Sequence, residues 1–237
     1  MSNSFVNLKL SKNNLESYII RSEIFKAVSN VMSIFSGKIL DSGCGTMPYK
    51  NLILSNNDKV TDYIGLDIES GLNYEDVIAD FLWDGSIMPF EDASFDVVIS
   101  TEVLEHVPDP DSYLLEVKRV LKPGGVFFFT VPFLMSLHEV PNDYYRYTPF
   151  ALEMIFKRVG FVTITIKPMG GYNAAMAQML GLWVNMYLWG KKKKIMRVIA
   201  KPIINFLYKK DSAPLNFKKS TMIVGLSGIV IKPIVKK

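Results

Sequence analysis

The stretch ILDSGCGTMPY, residues 39–49, decides the fold, because an apolar strand runs into a glycine-rich turn that leads toward a helix. Glycine tolerates backbone angles that other residues avoid, so such a turn lets a ligand approach the main chain closely. The N–H groups at the start of the following helix would also point at that ligand. The turn therefore predicts a ligand site at the carboxyl end of a strand in an open α/β sheet.

Short apolar segments alternate with helical patterns outward from this turn. The segments predicted as strands are KILD (38–41), YIGLDI (63–68), DVIAD (76–80), FDVVIST (95–101), GVFFFTV (125–131), FVTITI (161–166) and TMIVGLSGIVIK (221–232). Most are apolar throughout, as strands covered on both faces are. Helices are predicted over 12–36, 48–56 and 111–121, and from Thr148, a good N-cap before a proline. The alternation predicts a doubly wound, mostly parallel seven-stranded α/β sheet, with a helical insertion before the last strand.

The spacing within the turn distinguishes two classes of nucleotide ligand. A dinucleotide fingerprint requires G-x-G-x-x-G/A; Gly43 and Gly45 fit it, but Pro48 occupies the third place. A nicotinamide-dependent dehydrogenase is therefore disfavoured. The next predicted strand ends at Asp67, 22 residues beyond Gly45, where a carboxylate can accept both hydroxyl groups of a ribose. A ligand with a ribose and no pyrophosphate agrees with both observations.

The order of the motifs resembles that of class I S-adenosylmethionine-dependent methyltransferases, over about residues 38–167 and the last strand. LDSGCGT (40–46) matches the first motif, GLDI (65–68) the second, and ADFLWDGSIMPFEDASFDVVIST (79–101) the third and fourth. EVLEHVPDP (102–110) and LKPGGVFFFTVP (121–132) complete the order. The chain departs from the pattern at Met47, where a glycine is frequent. The resemblance implies a Rossmann-like methyltransferase fold with S-adenosylmethionine as cofactor.

The resemblance also implies which residues contact that cofactor. The glycine-rich turn with Asp41 would surround the methionine moiety, the second strand would hold the ribose and pack on the purine, the third would contact the adenine, and the fourth would close the methionine side. In that order the residues are Asp41, Gly43, Cys44 and Gly45; Asp67 and Ile68; Asp80 and Phe81; and Thr101 and Glu102, with His106 nearby. Cys44 is expected to be a small buried side chain in the turn, and His106 to cap a helix or pack beside the site.

The loop after the fifth predicted strand carries the candidate catalytic residues. Its sequence HEVPNDYYRYT, residues 138–148, resembles a version found in a subset of these methyltransferases. Methyl transfer to a hydroxyl group needs alignment and a base, and an imidazole titrates near neutral pH. His138 is the first candidate for that base, with Asp143, Tyr144 and Arg146 beside it. The structural alternative is that Asp143 and Arg146 pair to pin the loop and that His138 belongs to the same framework.

The charge is divided unevenly along the chain. Residues 191–237 contain 13 Lys and Arg against one acid, a net +12, whereas residues 1–190 contain 14 against 22, a net −8. The segment 168–190 has no charged residue, and 191–210 combines a lysine run with apolar positions. This pattern is typical of a helix on an anionic membrane surface. A lid over the substrate pocket with solvated lysines and a membrane span are the alternatives, and nucleic acid ranks lower because no recognised binding motif accompanies the charge.

These observations predict four regions and one function. The regions are an N-terminal helical segment (1–37), a cofactor-binding core (38–167), a basic and apolar helical insertion (168–220) and a final strand that completes the core (221–237). The function is S-adenosylmethionine-dependent methyl transfer, O-directed, to a small-molecule, glycan or lipid-linked acceptor, with no metal. A membrane-surface binding protein that keeps the fold without turnover is the alternative. One cysteine allows no intrachain disulfide, so the expected location is the cytoplasm, peripheral on the inner face of the membrane.

Overall fold

A computed structural model of the chain describes residues 5–6, 8–69, 79–218 and 221–234. Its helices are α1 (Tyr18–Val31), α2 (Lys50–Asn56), α3 (Pro110–Val120), α4 (Pro149–Val159), α5 (Tyr172–Leu182) and α6 (Gly190–Lys209). Its strands are β1 (Gly37–Ser42), β2 (Val60–Ile68), β3 (Phe81–Trp83), β4 (Phe95–Thr101), β5 (Leu121–Pro132), β6 (Val162–Met169) and β7 (Gly225–Ile231). Two 3₁₀ turns, Met32–Ile34 and Leu104–His106, and a π-helical turn, Trp183–Tyr187, complete the regular structure of the described residues.

The strands form one sheet in the order β3-β2-β1-β4-β5-β7-β6. All neighbours are parallel except β7, which runs antiparallel to both β5 and β6. The order reverses at β1 and β4, which places the crevice for a ligand at the carboxyl ends of these strands. The predicted doubly wound, mostly parallel seven-stranded sheet is therefore confirmed, including the helices that precede its last strand.

Hydrophobic cores lie on both faces of the sheet. Successive side chains of β5 alternate between them: Phe127 and Phe129 pack with α3 and α4, whereas Phe128 packs with α1 and the helices of the insertion. All three rings are buried. Burial of alternate residues on opposite faces explains why β5 is apolar at each position from Val126 to Phe129.

Local sequence signals set the helix boundaries around the site. The Thr148 side chain accepts the N–H of Ala151 and caps α4, with Pro149 at the first helical position, as predicted. Gly160 ends this helix in the left-handed conformation that glycine tolerates. Asp109 caps α3 in the same way as Thr148 caps α4. The loop between β5 and α4, which carries His138, is therefore anchored firmly at both ends.

Two predicted elements need correction. The expected strand 76–80 falls mostly outside the described residues, and Ala79 and Asp80 are not in a strand; β3 begins only at Phe81. Asp80 therefore precedes this strand and does not end it. A three-residue edge strand gives almost no sequence signal, so the longer apolar run before it was more prominent. The predicted helix 12–36 is shorter and begins at Tyr18.

The insertion is a helical layer that packs against α1. Asp211, which follows α6, holds the start of α5, because its carboxylate accepts the N–H groups of Gly171 and Ala174 at 2.9 Å each. Asn185, at the turn before α6, accepts a hydrogen bond from Arg197 at 2.8 Å and donates to the Glu16 carboxylate. Within the described ranges no helix is long and apolar enough to cross a membrane. The boundaries of the four regions remain predictions.

Candidate active site at the carboxyl edge of the sheet

The glycine-rich turn adopts backbone angles that explain its two glycines. Gly43 and Gly45 have φ angles of +73° and +50°. A Cβ on Gly43 would lie 2.4 Å from a methyl group of Val103, whereas a Cβ on Gly45 would meet nothing within 4 Å. Gly43 is therefore required for packing, and Gly45 borders open space. We call this open space beside Gly45 the cradle, because a ligand there could approach the main chain closely.

Asp67 links the turn to the end of β2. Its Oδ2 accepts the N–H of Gly45 at 2.7 Å and its Oδ1 accepts the N–H of Ile68 at 2.8 Å. Each carboxylate oxygen has two lone pairs, so both retain capacity for a further donor. The predicted ribose-binding residue thus lies against the turn that was predicted to contact the same ligand.

Asp41, at the end of β1, is buried and accepts a hydrogen bond from the Tyr63 hydroxyl at 2.6 Å. Burial raises the pKa of Asp41 to about 7, although the Tyr63 hydrogen bond works in the opposite direction. Burial, reinforced by the charge of Asp41, also raises the pKa of the Cys44 thiol. A thiol that stays protonated agrees with the expected role of Cys44 as a small buried side chain. Sequence reasoning missed Tyr63, which has no motif of its own.

The part of the site that was predicted to contact the adenine combines one carboxylate with two apolar side chains. Asp80 accepts the N–H of Gly65 at 2.8 Å and lies 3.6 Å from the Lys50 ammonium group. Ile68 ends β2 and Phe81 begins the neighbouring strand β3, and both side chains are exposed. Exposed apolar side chains next to a polar group are what a purine ring would cover.

Thr101 ends β4 and Glu102 follows it. Glu102 has a φ angle of +55°, and its carboxylate accepts the Thr130 hydroxyl at 2.8 Å. Its main-chain N–H donates to the Thr130 carbonyl at 3.1 Å. Burial raises the pKa of Glu102 to about 7, with the Thr130 hydrogen bond opposing the shift. Thr130, on β5, is a second site residue that the sequence did not single out.

His106 and His138 lie together although 32 positions separate them in the chain. Their Nε2 atoms are 3.1 Å apart. His106 Nδ1 faces the Asn142 carbonyl at 2.7 Å, and His138 Nδ1 faces the Ser136 carbonyl at 3.2 Å. A carbonyl oxygen only accepts hydrogen bonds, so both Nδ1 atoms carry the ring protons. The two Nε2 atoms face each other at a distance that one shared proton would bridge.

Glu105 precedes His106 in the 3₁₀ turn Leu104–His106 and was not predicted as a site residue. It is fully buried, and within the described residues neither carboxylate oxygen has a hydrogen-bond partner. Burial raises its pKa well above the ordinary value. Glu105, His106 and His138 each offer one ligand atom, all within 4.8 Å of one another, so they could hold a metal ion. The expectation of a site without metal remains a prediction.

Asp143 and Arg146 form a two-pronged ion pair, with distances of 2.6 Å and 2.7 Å. Asp143 also accepts the main-chain N–H of His138 at 3.0 Å, and Arg146 donates to the Ser136 carbonyl at 3.3 Å. The Arg146 hydrogen bonds lower the pKa of Asp143 to about 2. The pair therefore pins the loop that carries His138, as in the structural alternative. Tyr144 is exposed and donates to the Asn142 side chain at 3.1 Å.

Residues 101–106 connect the two halves of the site. Val103 in this segment lies against Gly43 of the glycine-rich turn, and the 3₁₀ turn places Glu105 and His106 against the loop after β5. The main-chain N–H groups of Tyr144 and Tyr145 both donate to the Glu105 carbonyl, at 2.9 Å and 3.2 Å. A ligand in the cradle and a second molecule at the histidine pair would therefore both lie next to this short segment.

Comparison with known proteins gives a family and a set of relatives. Residues 40–129 match the methyltransferase domain family. The ubiquinone biosynthesis O-methyltransferase of Pasteurella multocida is 36% identical over 109 residues, which are 39% of this chain and 45% of that protein. The chain thus matches less than half the length of this curated relative.

Two solved structures show how widely the fold is shared. The [4+2]-cyclase SpnF is 18% identical with a TM-score of 0.57, over 92% of this chain and 84% of that one. Phosphoethanolamine N-methyltransferase 2 of Haemonchus contortus, solved with S-adenosyl-L-methionine, is 16% identical with a TM-score of 0.53, over 95% of this chain and 61% of that one. These likenesses concern the fold alone. The match over residues 40–129 and the strand order together show that the chain has the fold of S-adenosylmethionine-dependent methyltransferases and contains a stretch similar to the methyltransferase domain family.

Proposed function

We propose that the protein transfers a methyl group from S-adenosylmethionine to a hydroxyl oxygen of a small, apolar acceptor. The observation that supports this most directly is the placement of two sites on one short segment. Val103, within residues 101–106, lies against Gly43 of the turn that borders the cradle, and His106, at the end of the same segment, faces His138. Methyl transfer requires this arrangement, because donor and acceptor must be aligned for an in-line displacement.

The residues of the cradle fit the cofactor of the family. Open space beside Gly45, the Asp67 carboxylate and the exposed side chains of Ile68 and Phe81 offer a main-chain surface, a ribose acceptor and a purine-covering surface. Asp41 and Glu102 would hold the methionine end. When bound, the cofactor supplies an electrophilic methyl group on a sulfonium centre.

The histidine pair would take the proton of the acceptor hydroxyl. Because both Nδ1 atoms donate to carbonyl groups, the pair has one empty place for a proton, between its Nε2 atoms. His138, on the loop, would receive the proton first. The added positive charge would lie near Glu105 and Glu139, whose carboxylate oxygens are 3.8 Å and 3.6 Å from His106 Nε2. Asp143 and Arg146 would act as positioning residues that hold the loop.

The loop also supports an apolar acceptor. Leu137 and Val140 are 73% and 71% exposed beside His138, and Tyr144 is exposed next to them. Large apolar side chains on a surface loop mark a binding surface more often than a framework. The printed name of the Pasteurella relative, an O-methyltransferase of ubiquinone biosynthesis, supports an oxygen acceptor on a quinone-related small molecule.

Methyl transfer from radiolabelled S-adenosylmethionine tests this function. We expect label in a phenol with a long isoprenoid chain, and none in soluble glycans or in the same phenol with its hydroxyl blocked. His138→Ala should abolish the label while S-adenosylhomocysteine still binds. Label in glycans alone would contradict the apolar acceptor. If S-adenosylhomocysteine binds but no acceptor class is labelled, the chain keeps the fold without this turnover. NAD binding in place of S-adenosylhomocysteine would indicate the dehydrogenase.

A further inference from the structure

The insertion exposes an apolar surface that no described part of the chain covers. We define the apolar ridge as the large apolar side chains on the solvent side of the π-helical turn and α6: Trp183, Met186, Tyr187, Trp189, Ile195, Val198, Ile199, Ile203 and Phe206, all of them exposed. Trp189 is 85% exposed and Tyr187 74%. Contiguous exposed apolar side chains on this scale mark an interaction surface.

The two faces of α6 explain why the ridge is not simply part of the core. Ala200 and Ile204 are fully buried and face α5 and α1. Ile195, Ile199 and Phe206 follow one another at steps of four and seven residues, so they share one stripe on the other side. The helix therefore has apolar side chains on both faces. Only the face with Ala200 and Ile204 packs against the rest of the protein.

Basic residues border the ridge at both ends. Lys191, Lys192 and Lys194 are exposed at the start of α6, Lys209 is in its last turn and Lys210 is its C-cap residue. Within the described residues none of these five lysines forms an ion pair with an acidic side chain. The helix contains 20 residues and so extends for about 30 Å. An apolar stripe of this length between two groups of lysines has the charge and shape of a helix that lies in a membrane interface.

The lysines in the first turn are at an unfavourable end of the helix. The N-terminus of a helix carries a partial positive charge, so cations there reduce its stability. No acidic residue compensates in that turn, and Trp189 provides no side-chain cap. A local cost of this kind is expected where the residues serve a function outside the fold.

We infer that the apolar ridge and its lysines dock the protein on an anionic lipid bilayer without crossing it. Tryptophan and tyrosine prefer the boundary between water and hydrocarbon, which is where Tyr187 and Trp189 would lie. Anionic lipids, as in the cytoplasmic leaflet, match the lysines in charge. A second copy of the chain fits less well, because self-association through this ridge would bring two sets of lysines together. Nucleic acid would leave the aliphatic side chains in water.

The insertion also connects the apolar ridge to the loop after β5, which carries His138. Strand β6 runs parallel to β5, so α5 begins at the carboxyl edge of the sheet, where the site lies. Gln178 on α5 is buried and donates to the sulfur of Met135, in the loop after β5, at 3.6 Å. Docking would therefore bring the loop near the lipid. Delivery of a lipid-linked acceptor by this route rests on the proposed function, whereas docking itself does not.

Sedimentation of the full chain with vesicles tests the inference. We expect binding to phosphatidylcholine vesicles that contain phosphatidylglycerol, weak binding to phosphatidylcholine alone, and a steep loss between about 50 and 500 mM salt. Changing Lys191, Lys192 and Lys194 together to glutamine should weaken binding about a hundredfold, since each lysine contributes about fivefold. Trp189→Ser should weaken it about tenfold or more. Tryptophan fluorescence should be quenched by brominated lipids, and Trp189→Phe should remove much of that quenching.

Matched controls separate docking from other effects. Lys59→Gln and Phe150→Ser change exposed residues on other faces and should leave vesicle binding unchanged. All variants should bind S-adenosylhomocysteine like the unchanged protein, so a failure of docking differs from a failure of the proposed function. Equal binding to neutral vesicles, or unchanged binding of the lysine variant, would overturn the inference. So would a dimer, or a DNA complex, that depends on the same residues in a protein that does not bind vesicles.

Discussion

Replacement of Asp67 tests the cofactor site most directly, because this carboxylate has two separable roles. It accepts the N–H of Gly45 and so holds the turn, and its remaining lone pairs are available to ribose hydroxyl groups. Alanine removes both roles. Asparagine keeps one oxygen for the Gly45 N–H but loses the charge and half of the acceptor capacity. The pair of variants therefore distinguishes ligand binding from turn geometry.

The magnitudes follow from these hydrogen bonds. A hydrogen bond to a charged group contributes about 1.5 to 3 kcal/mol, so Asp67→Ala should weaken S-adenosylhomocysteine binding about tenfold to a hundredfold. It should also lower the free energy of unfolding by about 1 to 3 kcal/mol, because the Gly45 N–H loses its acceptor. Asp67→Asn should retain most of the stability and still lose about tenfold in affinity.

Isothermal calorimetry with S-adenosylhomocysteine and urea unfolding of the ligand-free protein measure the two effects. Asp62→Ala is the matched control, since Asp62 lies on the same strand, is exposed and accepts only the N–H of Tyr63 among the described contacts. An unchanged dissociation constant for Asp67→Asn, together with a weakened one for Asp67→Ala, would refute the ribose role. Asp67 would then act on the turn alone.

Three further predictions concern titration, proton transfer and metal. Because burial raises the pKa of Asp41 to about 7, the folded state resists its ionisation, so stability should fall as pH rises through 7. Asp41→Asn should remove that fall, which is about 4 kcal/mol at most over pH 4 to 7 and about 1 kcal/mol between pH 6 and pH 8, as measured by urea unfolding at pH 4, 6 and 8. His138→Ala should lower turnover by about 10²- to 10⁴-fold with cofactor affinity unchanged, and near-normal turnover would assign His138 to loop structure. Dialysis against a chelator should leave turnover unchanged, whereas added zinc should inhibit by taking the His106 and His138 lone pairs. A loss on dialysis that only a divalent cation restores would show that the pair holds a metal.

The parts of the fold that could be predicted are those that local sequence controls. Thr148 and Pro149 start α4 because a cap and a preset φ angle act within one turn of chain. Strand β5 is recognisable because both of its faces are buried. Strand β3 was placed too early because its three residues are half exposed at the edge of the sheet, where packing gives little pattern.

The site was predictable to the extent that motifs describe the main chain. Gly43, Gly45 and Asp67 belong to one turn and one strand end, and the structure brings them together. The contact of His106 with His138 depends on how the loop after β5 folds back on the 3₁₀ turn, which no local pattern encodes. Glu105 was overlooked because a buried carboxylate is recognised by its missing partners, and these are visible only in three dimensions. A basic and apolar helix over 191–210 was predicted, but which of its apolar side chains are buried depends on how the helix packs against α5 and α1.

The position of β7 between β5 and β6 has a consequence for synthesis of the chain. The ribosome produces β5, β6 and the whole insertion before residues 225–231 emerge. Until then, one edge of β5 and both edges of β6 have no strand partner, and each of these edges exposes a row of main-chain N–H and C=O groups. Such edges pair readily with other chains. The nascent protein is therefore most prone to aggregate late in translation, and a chaperone that shields these edges would help most during that interval.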